Sequence, residues 1–440
     1  MISLTEKIFT YFFLFIPLFL ITGPAAPDII ITLCVIFGIF YFIILKEHRK
    51  LLKNNFFLIS IIFWLSLILV SFFSYNYFKS FQDSLIFIRF LLVPIFGYFI
   101  FFKNNKILIQ VLYLILILVI FVCLDTLYQF LNYTSKDGFG EDLLGFKSNW
   151  YGRLTGPFGN ELIPGSYVSK FGLFGFLILI SDKKFKKRVV LHSSYLSLIL
   201  LVTYISGERM SFATFSLGLI LLLIFLKGFR KSIILSIILG FTFIFIMHNQ
   251  HPFYNDYKVI ESSQYHQGLK IEKFFICENE SEVICSKIID TQPSFIDIIK
   301  NFNTSAYGEI YLLSLKMFLD NPITGIGINN FKYLCNTNEI YKSLMVNYDC
   351  ASHPHNIYVQ WLVEGGVIVF ILFIIYLFFL ISLILNNYND KKYKVISLII
   401  ILMMFWPIMS TGSLIKNWYG VTTFFIIALC ISLSNFKNNS

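Results

Sequence analysis

The chain has 440 residues, of which 57% are apolar and only 14% are charged, and its formal net charge is +10. This apolar content exceeds what a soluble globular surface requires, so a soluble enzyme is effectively excluded. The positive charge is weak evidence for a nucleic-acid partner, because a membrane protein needs basic cytoplasmic loops for its topology alone. The composition predicts an all-α polytopic membrane protein that contacts membrane lipids. We expect no nucleic-acid partner.

Apolar runs separated by polar breaks predict about twelve transmembrane helices along the chain. They lie near residues 8–22, 28–45, 56–74, 84–101, 107–131, 164–180, 189–205, 210–227, 231–247, 356–385, 394–411 and 418–435. The first run lacks a small-residue cleavage site and is followed at once by another span, so we expect a retained helix there. The predicted organisation is helices one to nine over residues 1–247, a large loop at 248–355, and helices ten to twelve over 356–440.

Basic residues indicate the orientation of these helices. With the amino terminus placed in the cytoplasm, more than half of the 35 Lys and Arg residues fall on segments that would then be inside. The positive-inside rule therefore favours a multi-pass protein with both termini in the cytoplasm. Two substantial segments then lie outside, at residues 132–163 and 248–355.

The cysteines agree with this orientation. Three of the seven fall in predicted helices, whereas Cys277, Cys285, Cys335 and Cys350 fall in the large outside loop. An oxidising compartment outside the inner membrane would allow two disulfides among these four, with three pairings open, and four free thiols are the alternative. No Cys-x-x-Cys or regular His/Cys spacing indicates a zinc site.

Three charged residues fall inside predicted helices, where charge is costly and by default marks function. Arg89, Asp125 and Lys170 all lie in the outer halves of their helices. For each residue alone, snorkelling or a structural ion pair is an equally good explanation. Their shared depth favours a polar pocket that opens to the outer face.

Two arginines lie at outside connections. Arg153 is in the turn-rich segment 152–161, and Arg209 follows Glu208 in the tight turn 206–211. Arginine suits a diphosphate because its charge is permanent and its planar fork can hold two oxygens at once. The pair is therefore a candidate site for a lipid-linked pyrophosphate that must leave. Binding to phospholipid headgroups is the alternative for either arginine alone.

A histidine lies where the large loop re-enters the membrane, in the sequence His353-Pro354-His355-Asn356. Near neutral pH a histidine can accept a proton from an attacking sugar hydroxyl. A lone loop histidine is usually structural or solvated. Because two arginines are predicted at the same outer face, we interpret His355 as a functional residue.

Three segments together resemble the O-antigen ligase and polymerase family of polytopic bacterial membrane proteins. They are residues 152–160, residues 206–211, and the run Pro-x-x-Gly-x-Gly-x-x-Asn-Phe at 322–331 with His355-Asn356 and Glu364-Gly365-Gly366 after it. The third segment is the most specific. The resemblance covers about residues 150–430, whereas the first five helices agree only in being helices.

The resemblance implies a metal-independent, inverting glycosyltransferase with the GT-C fold and no cofactor, acting at the periplasmic face of the bacterial inner membrane. Its donor would be an undecaprenyl-pyrophosphate-linked glycan. The acceptor would be lipid A-core for a ligase, or a second lipid-linked glycan for a polymerase. By position, Arg153 and Arg209 would bind the pyrophosphate and His355 would deprotonate or orient the acceptor hydroxyl. The predicted supporting residues are Arg89, Lys170, Glu208, Asn356 and Glu364.

A transporter or flippase is the alternative from another functional class, because twelve helices with both ends inside is also a common transporter layout. Transporters place their charged sites near the membrane midplane between related halves. Here the candidate charges cluster towards one side, and the sequence shows no internal repeat. A glycan transferase is therefore the favoured function.

Overall fold

The computed structural model describes residues 2–46, 48–134, 138–148, 152–255, 257–266, 269–277, 288–290, 300–386, 390–408 and 410–436. Within them the protein is mainly helical. The helices before the large loop are α1 (Ile2–Leu14), α2 (Ile16–Phe19), α3 (Ala25–Ile44), α4 (His48–Leu52), α5 (Asn55–Ser71), α6 (Tyr77–Phe96), α7 (Asn105–Leu131), α8 (Pro164–Ser181), α9 (Val189–Ile205), α10 (Arg209–Phe225), α11 (Arg230–Gln250) and α12 (Pro252–Asn255). Those that follow are α13 (Ala306–Asp320), α14 (Phe331–Thr337), α15 (Glu339–Lys342), α16 (Ile357–Asn386), α17 (Lys391–Met404) and α18 (Asn417–Ser434).

Each of the twelve apolar runs predicted from the sequence has a helix at its position. Among the described residues, seven helical segments are long and apolar enough to cross a membrane. Three shorter helices, α5, α9 and α10, are apolar over 17 residues. The protein is therefore a helical, multi-pass membrane protein, as the composition predicts.

The large loop differs from the all-α prediction because it contains a small antiparallel sheet. Its strands are β1 (Tyr257–His266), β2 (Leu269–Cys277) and β3 (Ile288–Asp290), in the order β1-β2-β3. Tyr257 pairs with Cys277 at one end of the hairpin, and His266 pairs with Leu269 at the other. These segments are rich in β-branched and aromatic residues and contain no apolar run of membrane length, which favours strands outside the membrane.

Local sequence explains where many helices begin. An Asn, Asp or Ser side chain accepts hydrogen bonds from the first backbone N–H groups, which have no partner within the helix. Residues of this kind cap α5, α6, α7, α13, α15 and α17; they are Asn54, Asn76, Asn104, Ser305, Asn338 and Asp390. Such residues lie in the polar breaks between the apolar runs and fix the helix boundaries.

The helix α16 is broken at Gly366, and the Pro-Gly run of the large loop repairs the break. Gly366 has φ 66° and ψ −171°, a backbone conformation that is rare for residues with a Cβ. The carbonyl oxygens of Val363 and Glu364 accept hydrogen bonds from the Ile326 and Gly327 N–H groups, both at 3.0 Å. Val367 N–H donates to the Pro322 carbonyl oxygen at 2.9 Å. The most specific sequence motif thus supplies the hydrogen bonds that the interrupted helix lacks.

A disulfide joins Cys335 and Cys350 in the large loop, with their Cα atoms 5.9 Å apart. It belongs to a small hydrophobic cluster outside the main core, built on buried side chains from α13 to α15. The cluster precedes the segment that carries His353 and His355 into the membrane helix α16. Cys285, and with it the predicted second disulfide, lies outside the described residues.

Candidate active site

A cavity of about 1180 Å³ opens where five connections between helices meet. Each of these connections is predicted to lie outside the membrane. Polar and charged lining residues include Arg153, Glu161, Lys170, Glu208, Arg209, Tyr307, Tyr311, His353, His355, Asn356, Thr411 and Lys416. The structure therefore brings Arg153, Arg209 and His355 to a single cavity, although they are far apart in the sequence.

Arg153 is positioned by the carboxyl end of α7. The Gln129 side-chain oxygen accepts hydrogen bonds from the Thr155 and Gly156 N–H groups at 3.1 and 2.9 Å, and its amide nitrogen donates to the Thr155 hydroxyl at 3.0 Å. The Arg153 guanidinium donates to the Leu162 carbonyl oxygen at 3.1 Å. A buried polar side chain on a membrane helix thus fixes the loop that presents the arginine.

The loop of Arg153 packs directly against the turn that carries Arg209. Leu154 N–H donates to the Ser206 carbonyl oxygen at 3.2 Å. Between them Gly207 has φ 76°, and a Cβ added there would lie 2.0 Å from the Gly152 carbonyl oxygen. Only glycine allows this approach, so it is part of what sets the spacing of the two arginine-bearing segments.

Glu208 and Lys170 form a second charged pair beside these arginines. The Glu208 carboxylate accepts hydrogen bonds from the Ser166 N–H and the Ser211 hydroxyl, each at 3.1 Å. The Lys170 ammonium contacts the Ser166 hydroxyl and lies 5.3 Å from the ring centre of Tyr419. Burial raises the pKa of Glu208, although Lys170 favours its charged form. The pair stabilises the start of α8 against the 206–211 turn.

His355 is held in a strained backbone conformation at the mouth of α16. Its φ is 55°, which is uncommon for a residue with a Cβ. The His355 carbonyl oxygen accepts a hydrogen bond from Thr411 N–H at 2.7 Å. Within the described part of the chain neither of its ring nitrogens has a hydrogen-bond partner. Its ring packs edge to face with Tyr307 and at a tilt against His353. The imidazole is thus oriented by packing while its nitrogens remain available to a substrate.

His353 is fixed through both ring nitrogens. Nε2 donates to the Thr411 carbonyl oxygen at 3.1 Å, and the Ser352 hydroxyl donates to Nδ1 at 2.8 Å. This assignment follows because a carbonyl oxygen can only accept. Burial, with a smaller effect of His355, lowers the pKa of His353 to about 4, and burial also lowers the pKa of His355. Both rings are therefore neutral near pH 7, the form that can accept a proton.

Asn356 directly precedes α16, and Glu364 lies within that helix. The Asn356 side-chain oxygen accepts from the Tyr358 and Val359 N–H groups, so it caps the helix, and its nitrogen donates to the Pro407 carbonyl oxygen at 2.8 Å. Glu364 is fully buried and accepts a hydrogen bond at 3.0 Å from Gln360. Asn356 lines the cavity, whereas Glu364 does not.

Two of the charged residues singled out from the sequence lie outside this cavity. Arg89 forms an ion pair with Asp28 at 2.8 Å and donates to the Asn417 side chain at 3.2 Å, so it anchors the start of α18 behind the cavity wall. Asp125 is fully buried and accepts from Leu143 N–H at 3.0 Å, which holds the segment leading to Arg153. Their contacts are those of structural residues.

Several residues that line the cavity are not predicted as site residues from the sequence. They include Lys416, Tyr307 and Glu161. Lys416 lies just before the last predicted helix and carried no motif. A charged residue at the outer end of an apolar run is the signal that would have identified it. The sequence likewise predicts no separate role for His353, although it belongs to the His-Pro-His segment.

The charges of the cavity suit an anionic ligand. Among the described residues it is lined by the cations Arg153, Lys170, Arg209 and Lys416, and by two carboxylates. The surplus of positive charge suits ligands that carry anionic groups, such as a diphosphate that links two organic groups. A neutral imidazole in the same cavity can accept a proton, so the arrangement suits group transfer with an anionic leaving group.

Residues 194–374 match a family model described as O-antigen ligase. The match includes Arg209, the large loop, His355 and the break in α16, and it confirms the resemblance drawn from the sequence. No curated protein matches the chain.

Proposed function

Because residues 194–374 belong to the O-antigen ligase family, which supports ligase or polymerase activity, we propose that the protein transfers a glycan from undecaprenyl pyrophosphate to lipid A-core. The observation that carries this proposal is the single cavity shared by Arg153, Arg209 and His355. A polymerase that passes the same donor glycan to a second lipid-linked glycan is the alternative. The two reactions share their donor and leaving group, so they differ only in the acceptor.

The proposed reaction is an inverting displacement. A hydroxyl oxygen of the acceptor attacks the anomeric carbon of the donor, and the bond from that carbon to the diphosphate oxygen breaks. Neutral His355 takes the hydroxyl proton, and the guanidinium groups of Arg153 and Arg209 stabilise the charge of the departing diphosphate. Lys170, Glu208 and Asn356 position the segments that carry these groups through the contacts described above. Arg89 and Glu364 support the helices α18 and α16 from outside the cavity.

We place this chemistry at the periplasmic face of the bacterial inner membrane, in a GT-C fold with twelve spans and both termini in the cytoplasm. The cavity supports this orientation because the connections that line it follow spans one, five, seven, nine and eleven. Connections after odd-numbered spans all lie on the face opposite the amino terminus. The metal-independent chemistry proposed here needs no ion beyond the arginine and lysine cations.

The test uses purified protein in EDTA with an undecaprenyl-pyrophosphate-linked glycan, and offers either rough lipopolysaccharide core or a second lipid-linked glycan. Arg209→Ala and His355→Ala are compared with Arg188→Ala and His248→Ala, which change exposed residues of the same types outside the cavity. We expect transfer to core that falls by at least about a hundredfold in the first two variants only.

Each outcome has a distinct meaning. Chain growth on the lipid carrier instead of transfer to core would make the protein a polymerase. Activity that EDTA abolishes would contradict the metal-independent mechanism. Absence of transfer to either acceptor by the unaltered protein would overturn the proposed function and favour transport.

A further inference from the structure

The segment Thr411–Lys416 forms the wall of the cavity behind the two histidines. Thr411 N–H donates to the His355 carbonyl oxygen at 2.7 Å, and the Thr411 carbonyl oxygen accepts from His353 Nε2 at 3.1 Å. Five residues later Lys416 precedes the first turn of α18 and lines the same cavity. This segment lies outside the residues that match the family model.

Lys416 places a positive charge where a helix would ordinarily be capped by an acceptor. It occupies the N-cap of α18, and no side chain caps that end of the helix. A lysine there adds its charge to the positive end of the helix dipole, which is unfavourable without an anion nearby. In the part of the chain that the structure describes, no carboxylate oxygen lies within 4.0 Å of its ammonium nitrogen.

Thr411 gives a second, independent indication of a ligand. Its side chain is only 6% exposed, yet its hydroxyl has no hydrogen-bond partner among the described residues. The Tyr419 hydroxyl, on a side chain that is 8% exposed, is in the same situation. Buried hydroxyls are costly without a partner, and both residues line the cavity.

This cluster is distinct from the arginine-bearing side of the cavity. There, Arg153 and Lys170 act electrostatically on Glu208, whose carboxylate bonds to the start of α8. Lys416 acts instead on His353, whose pKa its charge lowers together with burial and His355, and on the buried carboxylate of Glu364. Because Thr411 bonds to both histidines and Lys416 follows it by five residues, an anion held between Thr411 and Lys416 would lie on the histidine side of the cavity.

We infer that Thr411, Lys416 and the first turn of α18 form a second anion subsite, which binds a phosphate or carboxylate substituent of the acceptor glycan. This inference rests on the proposed function, since it takes His355 as the group that meets the acceptor hydroxyl. The anionic substituent orients the acceptor in the cavity while the donor diphosphate occupies the arginines. An acceptor without such a substituent binds more weakly.

The experiment measures KM for donor and acceptor with three oligosaccharide acceptors: a phosphorylated core, the same core after phosphatase treatment, and one that carries a uronic acid. The variants are Lys416→Gln, Lys416→Arg and Thr411→Val, a change that removes the hydroxyl and keeps the shape. Lys316→Gln is the matched control, because Lys316 pairs with Asp320 outside the cavity.

We expect Lys416→Gln to raise KM for the phosphorylated core by about tenfold, with a smaller increase in Thr411→Val and little change in Lys416→Arg. The donor KM, and the KM for the phosphatase-treated core, should stay as in the control. The uronic-acid acceptor shows how selective the subsite is. A subsite for any anion should treat it as it treats the phosphorylated core, whereas a subsite specific for phosphate should not.

Two results would overturn the subsite. One is an increase in the donor KM with an unchanged acceptor KM, which would assign Lys416 to the donor diphosphate. The other is equal KM values for phosphorylated and phosphatase-treated core in the unaltered protein. If the unaltered protein shows no transfer at all, the proposed function fails, and the subsite is then tested by direct binding. Equal binding of the phosphorylated oligosaccharide by the unaltered protein and by Lys416→Gln would refute the subsite.

Discussion

At the scale of single residues, two histidines two positions apart have different environments. Both ring nitrogens of His353 are hydrogen-bonded within the protein, whereas those of His355, which also lines the cavity, have no hydrogen-bond partner among the described residues. The sequence motif shows only two residues of the same type on either side of one proline, so it cannot distinguish the two histidines. The distinction arises from Thr411, which is distant in the chain and bonds to both.

The buried ring of His353 predicts a loss of stability in acid. The unfolded chain binds a proton at this residue below about pH 6.5, but the folded protein does so only near pH 4. The contribution of neutral His353 to the free energy of unfolding is therefore fully present above pH 6.5. It is lost as the pH falls, and at pH 5 the free energy of unfolding is lower by about 2 kcal/mol. Thermal unfolding in detergent at pH 7.5 and 5.0 should show a larger decrease in midpoint for the unaltered protein than for His353→Gln. An equal decrease in both would contradict this prediction.

At the scale of elements, the site depends on close contacts between connections, where helix ends meet. The Gln129 side chain holds the loop of Arg153, and the run beginning at Pro322 replaces the hydrogen bonds missing from α16 at Gly366. In both cases a buried backbone group that lacks a helical partner finds one on another segment. The polar residues of these segments are therefore explained by the hydrogen bonds that they complete.

The glycine between the two arginine-bearing segments gives a test at this scale. A methyl group in Gly207→Ala would meet the Gly152 carbonyl oxygen, and φ 76° is unfavourable for alanine. We expect transfer activity to fall by about tenfold or more, because the arginines would be displaced from each other. Gly228→Ala is the control, since a Cβ there meets no atom within 4 Å. Equal activity of the two variants would show that this spacing is unimportant.

At the scale of the whole molecule, the helices differ in how much of their surface is buried inside the protein. Most of α8 and α18 is buried inside the protein, whereas most of α3, α11 and α16 faces outward. The cavity lies where the two buried helices α8 and α18 begin, together with the first residues of α10 and α16.

The proposed orientation is tested with reporter fusions. A reporter that is active only in the cytoplasm should function after Lys187 and after Asn386, which follow even-numbered spans in the proposed topology. A reporter active only in the periplasm should function after Asn255, which follows the ninth span. The reversed pattern would place the cavity on the cytoplasmic face and refute the proposed site of reaction.

The sequence by itself determined the helical membrane architecture and the positions of its twelve apolar runs, because a bilayer requires long apolar segments and polar breaks between them. It also predicts that Arg153, Arg209 and His355 lie on the side opposite the amino terminus, since basic residues bias orientation. The family resemblance followed from local motifs in three segments of the chain. These features depend on composition and short-range pattern.

Only the tertiary structure decided which charged residues share the cavity. It directs Arg89 and Asp125 to structural contacts, brings Lys416 to the cavity that the histidines line, joins Cys335 to Cys350, and adds a sheet to the large loop. Depth in the membrane can be read from the position of a residue in an apolar run. The direction in which its side chain faces depends on how the helices rotate and pack, which is set by contacts between residues hundreds of positions apart.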